Sequence, residues 1–123
     1  VVEDDEEVRA YAVRVLREFG YHVIEAGNAA DALTIIQEQP IDLLFTDIGL
    51  PVLDGRQLVS AARRQKPGLK VLFTTGYARN AIVHNGTLDS DVDLLPKPFS
   101  SDALGRAVRQ ILDRSDPGGG PAA

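Results

Sequence analysis

The chain has 123 residues, 44% hydrophobic and 25% charged, which suits one globular domain with its own core. A formal charge of -5 argues against nucleic acid as a direct partner, and the absence of Cys excludes disulfides, thiolate-held zinc and thiol nucleophiles. No apolar stretch approaches the ~20 residues of a membrane helix and no signal peptide is visible, so a cytoplasmic domain without membrane contact is expected.

The sequence holds no Met and opens VVEDDEE, so it reads as a piece of a longer protein or as one missing its first residues. Val1 and Val2 read as the end of a strand whose beginning is missing. Apolar residues at Val8, Ala12, Val15, Leu16 and Phe19 have helical spacing, with Asp5 as N-cap and Gly20 as the stop. The acids after Asp5 suit a helix start, but that does not explain Glu3 and Asp4. Residues 21–26, YHVIEA, are short and β-branched and predict a strand. Asn28 should cap a helix over residues 29–39, ended by Pro40.

IDLLFT, residues 41–46, is a continuous apolar run of the kind buried on both faces of a sheet. A loop follows, then a helix over residues 55–65 with Leu58, Val59 and Ala62 on one side, Asp54-Gly55 being its entry. KVLFTT, residues 70–75, predicts another strand. Residues 76–91 are the least readable, with at most a short helix near 78–84. VDLL, residues 92–95, predicts a last strand, and Ser100 or Ser101 caps a final helix with Leu104, Val108, Ile111 and Leu112 inward. The domain is expected to span residues 1–113, with a flexible Gly/Pro-rich tail at 114–123.

Alternating strands and helices predict a parallel sheet covered on both faces. Five strands suggest the flavodoxin-like doubly wound α/β architecture, strand order 2-1-3-4-5, in which ligands sit at the carboxyl ends of the strands. Those ends carry Glu3 and Asp4, Asp47, Thr75 and, just beyond the last strand, Lys97. Three close carboxylates repel one another, and a hard divalent cation removes the conflict. Mg²⁺ suits carboxylates, waters and a phosphate oxygen. Thr75 and Lys97 add donors for phosphoryl oxygens, so the set suits phosphoryl transfer with Asp47 as nucleophile.

The motifs VVEDD, TDIGLP..DG, LFTTGYA and LPKPF, in this order and spacing, resemble the receiver domain of two-component response regulators over residues 1–113. The resemblance implies that Asp47 accepts a phosphoryl group from a histidine kinase or histidine phosphotransfer protein. It implies that Asp4 binds Mg²⁺ directly, that Glu3 acts mainly through water, and that Gly49 lends its backbone carbonyl to the metal. Thr75 and Lys97 then contact the phosphoryl oxygens, and the Lys97-Pro98 peptide is cis. Such a domain is not a separate enzyme, since it catalyses only its own phosphorylation and dephosphorylation. Many relatives dimerise through their fourth and fifth helices, which leaves a homodimer open here. Where the family often has an aromatic residue, three positions before Lys97, this chain has Leu94. The stretch from Phe73 through the LPKPF motif looks most like receivers fused to the C-terminal end of hybrid sensor kinases, with some likeness to single-domain receivers.

Other readings compete. An Asp-nucleophile phosphatase of the haloacid dehalogenase type would need a second Asp where Gly49 stands. A degenerate receiver used for binding only conflicts with the intact Asp4, Asp47, Thr75 and Lys97. A flavodoxin would need a phosphate-cradling loop where Glu3 and Asp4 stand. His22 and His84 lack ligand spacing, Arg63, Arg64 and Lys66 read as a solvated helix end, and Tyr11 and Phe99 read as packing. Tyr77 is expected to shield the phosphoryl group from water.

Overall fold

The structure is a computed structural model that describes residues 1–50, 52–76 and 93–114. Among the described residues four helices are present: α1 (Glu6–Glu18), α2 (Ala29–Glu38), α3 (Gly55–Gln65) and α4 (Ser101–Asp113). Also among them, three strands, β1 (Leu43–Asp47), β2 (Lys70–Thr75) and β3 (Asp93–Pro96), form a parallel sheet in that order. The register sets Asp47 opposite Thr74 and Thr75 opposite Pro96, so the chemically interesting strand ends lie along one edge.

The helix starts follow capping chemistry. Asp5 accepts from the N–H groups of Glu7 and Val8, Asn28 from Asp31, and Ser100 from Ala103. Asp54 accepts from the Gln57 N–H while the Gln57 side chain reaches back to the Asp54 N–H, a reciprocal capping box.

Alternation along the strands divides the core. Leu44, Val71 and Phe73 pack with Ala32 and Ile36 of α2 and Leu58, Val59 and Ala62 of α3. Phe45 and Leu72 face the other way, onto Ala12, Val15 and Leu16 of α1 and Leu104, Val108 and Ile111 of α4. Helices therefore cover both faces, as the apolar strands require. Leu58, Leu72 and Leu104 are fully buried, each contributing on the order of 2 kcal/mol by burial.

The expected strand at residues 21–26 is not formed as a ladder; Ala26 alone bridges to Val2. Val1 accepts from the Ala26 N–H (2.9 Å), Val1 N donates to Ile24 O (2.9 Å), and Glu3 N–H donates to Ala26 O (3.1 Å). On its other side Val2 bridges to Thr46, donating to Phe45 O (2.8 Å) and accepting from Asp47 N–H (3.0 Å). The strand expected at 41–46 likewise begins only at Leu43 and runs through Asp47. The Lys97-Pro98 peptide is cis. The expected short helix near 78–84, Tyr77, His84 and the tail beyond residue 114 lie outside the described residues. Among the described residues no helix is long and apolar enough to cross a membrane.

Candidate functional site

Asp47 is the last residue of β1, and its position is set from both directions. Its N–H is held by Val2 O, and it is buried at 6% exposure. Its carboxylate is equally constrained: Oδ1 accepts from the Gly49 N–H at 3.0 Å, and Oδ2 receives the Lys97 ammonium at 3.1 Å. Gly49 thus contributes a donor to Asp47, a role the sequence did not suggest.

Glu3 stands beside it, buried at 3% exposure. Its Oε2 accepts from the Asp5 N–H at 3.0 Å. Its Oε1 lies 2.7 Å from Lys97 Nζ, an ion pair that neutralises it. Asp4 is exposed at the mouth of the site. One carboxylate oxygen from each of Glu3, Asp4 and Asp47 can lie within 4.8 Å of the others.

Lys97 is seated by its own backbone, whose N–H donates to Thr75 O at 2.9 Å. Thr75 is buried at the end of β2, and next to it Thr74 Oγ1 donates to Leu95 O at 2.7 Å, joining β2 to β3. Phe99 packs between Tyr11 and Phe45, with ring centroids 6.0 and 5.8 Å away, and so anchors the turn that carries Lys97. Leu94 is half-buried, pairs with Phe73 and packs on the α2–α3 side.

The electrostatics follow from this crowding. Burial pushes the Glu3 carboxyl above its ordinary range; Lys97 and the Asp5 N–H oppose that rise, and Asp47 adds to it. Burial alone would lower the Lys97 ammonium, but Glu3 and Asp47 outweigh it and raise its pKa. One ammonium therefore serves two buried carboxylates, with a third acid alongside. An all-oxygen set of three acids balanced by a single ammonium fits a hard divalent cation such as Mg²⁺.

The sequence-predicted residues Glu3, Asp4, Asp47 and Lys97 are thus brought together, with Thr75 and Gly49 on the same edge. Two contributors were missed. Gly55 backs directly onto Asp47: a Cβ there would clash with Asp47 O and lie 2.9 Å from Ile48 Cα. Arg9 donates through Nη1 to Glu3 O at 2.8 Å. Only Arg9's place one helical turn after Asp5 hinted at a role near the acids. His22 is exposed, and Arg63 and Lys66 are engaged with the carbonyls of Leu69 and Gln39.

Comparison with known proteins gives concordant results. The family model of the response regulator receiver domain matches residues 1–109. The sequence is 37% identical over 112 residues to the response regulator receiver protein CpdR of Brucella abortus, covering 91% of this chain and 93% of that protein. It is 36% identical over 118 residues to the sensor kinase CckA of the same organism, covering 94% of this chain but only 12% of the kinase. Among solved structures, the receiver domain of the hybrid histidine kinase CckA matches with a TM-score of 0.76 and 37% identity, over 90% of this chain and 94% of that one.

Proposed function

Because the chain belongs to the response regulator receiver domain family, we propose that it accepts a phosphoryl group on Asp47 from a histidine kinase or histidine phosphotransfer protein. The observation that carries this reading is the placement of Asp47, rigid at a strand end, with Lys97 3.1 Å from one carboxylate oxygen and two further acids beside it. An Asp47 oxygen attacks phosphorus, the bond from phosphorus to the donor's imidazole nitrogen breaks, and the nitrogen leaves with its electron pair and takes up a proton.

Asp47, Asp4 and Glu3 would hold the cation, Asp4 directly and Glu3 mainly through water, with the Gly49 carbonyl as a further ligand. Bound Mg²⁺ supplies charge neutralisation at the phosphoryl oxygens. Lys97 turns from the two carboxylates toward the incoming phosphoryl group, and the Thr75 hydroxyl donates to another of its oxygens. Nothing in this set would act on a second substrate, which supports a signalling domain over a phosphatase. Incubation with acetyl phosphate and Mg²⁺ should add the mass of one phosphoryl group to the chain and none to Asp47→Asn. An adduct that survives in the variant would overturn the assignment.

The domain is read as residues 1–113 of a cytoplasmic chain with a five-stranded flavodoxin-like sheet, order 2-1-3-4-5. The bridges of Val2 to Ala26 and Thr46 support that order. Its placement at the C-terminal end of a hybrid sensor kinase draws on the likeness to CckA. A stand-alone regulator is the second reading, favoured by the match to nearly the whole of CpdR. The size of the native protein on an immunoblot separates the two. Homodimer formation is read by sedimentation with and without phosphorylation.

A further inference from the structure

Arg9 joins two segments that flank the acid turn. Its backbone N–H donates to Asp5 O at 2.9 Å, and Nη1 donates to Glu3 O at 2.8 Å. Its Nε donates to Glu25 Oε1 at 3.1 Å, and its side chain is only 20% exposed. Gly27 leaves room for the guanidinium, since a Cβ there would lie 3.2 Å from Nη1. Residue 3 is thereby held to the segment at residues 25–27 by two routes. Glu3 N–H bonds directly to Ala26 O, and Glu3 O is tied to Glu25 through Arg9.

The arrangement matters for Asp4. Among the described residues no hydrogen bond positions the Asp4 carboxylate, which is exposed. Its place beside Glu3 and Asp47 therefore depends on the backbone that carries it. That backbone is pinned just before Asp4 at the Glu3 carbonyl by the Arg9 guanidinium, while just after it Asp5 O takes the first-turn bond of α1 that any residue at position 9 would donate. We propose that Arg9, oriented by Glu25 and admitted by Gly27, is a positioning residue that sets the Asp4 backbone for divalent-cation binding. The proposal rests on the cation site described above. A planar fork is suited to this task, because it bonds two acceptors at a fixed angle that a lysine cannot reproduce.

The test is Mg²⁺ binding by calorimetry, with thermal unfolding in chelator as the parallel measurement. Arg9→Ala should weaken Mg²⁺ about tenfold, the scale at which groups that orient metal ligands act. Gly27→Ala, which crowds the guanidinium without changing any charge, should shift affinity in the same direction, and it carries the test if Arg9→Ala does not fold. Arg9→Lys should not restore wild-type affinity. Val108→Ala, destabilised in the core far from the acids, should bind Mg²⁺ as the wild type does. Wild-type affinity in folded Arg9→Ala, or in Gly27→Ala if the former does not fold, would overturn the proposal while leaving the cation site standing. Full recovery in Arg9→Lys would replace the clamp by a simple charge effect. A Val108→Ala loss equal to that of Arg9→Ala would reduce the effect to stability. A wild type that binds no Mg²⁺ would remove the cation site and the proposal together.

Discussion

Lys97 Nζ lies 2.7 Å from Glu3 Oε1, so a group read from the sequence as a phosphoryl contact also holds a buried carboxylate. Removing the ammonium leaves Glu3 and Asp47 facing each other without a counter-charge. Lys97→Met, which keeps most of the apolar stem, should cost roughly 2 kcal/mol in chelator. That is less than for a fully buried pair, because the Lys97 side chain is 20% exposed. Urea unfolding measures the loss, and Mg²⁺ should restore more stability to the variant than to the wild type. An equal response of both chains would contradict the shared-charge account.

The pH dependence in chelator has a definite sign. The Glu3 pKa is raised from 4.5, chiefly by burial, so above 4.5 the folded chain holds a proton that the unfolded chain has lost. Stability should therefore fall as pH rises from 4.5 through the raised value, and Glu3→Gln should flatten that limb. Lys97 is raised above 10.5, so its contribution is complete below 10.5 and disappears as pH climbs through the raised value. Thermal midpoints across the range check both limbs.

Gly55 is required for space. Its missing Cβ would press on Asp47 O and come within 3.0 Å of Asp47 C, and backbone cannot give way as a flexible side chain can. Gly55→Ala should cost about 2 kcal/mol and slow phosphoryl acceptance at Asp47 by displacing it. Denaturation and acetyl phosphate kinetics read the two effects separately. A variant with wild-type rate and stability would show that the contact relaxes freely.

Asp54 tests a different kind of claim. It is an acid close in sequence to Asp47, yet its carboxylate accepts from the Gln57 N–H at 3.0 Å and so caps α3. Asp54→Ala should cost about 1 kcal/mol and leave the rate of phosphoryl acceptance unchanged. A large fall in that rate at unchanged stability would instead make Asp54 part of the site.

Much of this was legible because it depends on local chemistry. Asp5, Asn28 and Ser100 cap the helices they precede, and the KVLFTT run forms β2 over its full length. The converging acids could be inferred once the strands were read as parallel. Of residues 21–26 only Ala26 is bridged, to Val2, because β-branched composition gives a ladder only where neighbouring backbone pairs with it. Arg9 was missed because its acceptors are a backbone carbonyl and a glutamate 16 residues away. The Gly55 contact was invisible for a similar reason. A glycine at a helix start looks like punctuation until the fold brings another backbone against it.

Lys97 is 50 residues from Asp47 along the chain and nearly twice as far from Glu3. Their pairing closes a loop over most of the domain, the kind of contact that high contact order makes slow to form. A nascent or partly folded chain could build α1 or the β1–β2 pair and still lack the ammonium between its acids. Competence for signalling is thus coupled to completion of folding, since the charge balance of the site depends on the last strand reaching the first.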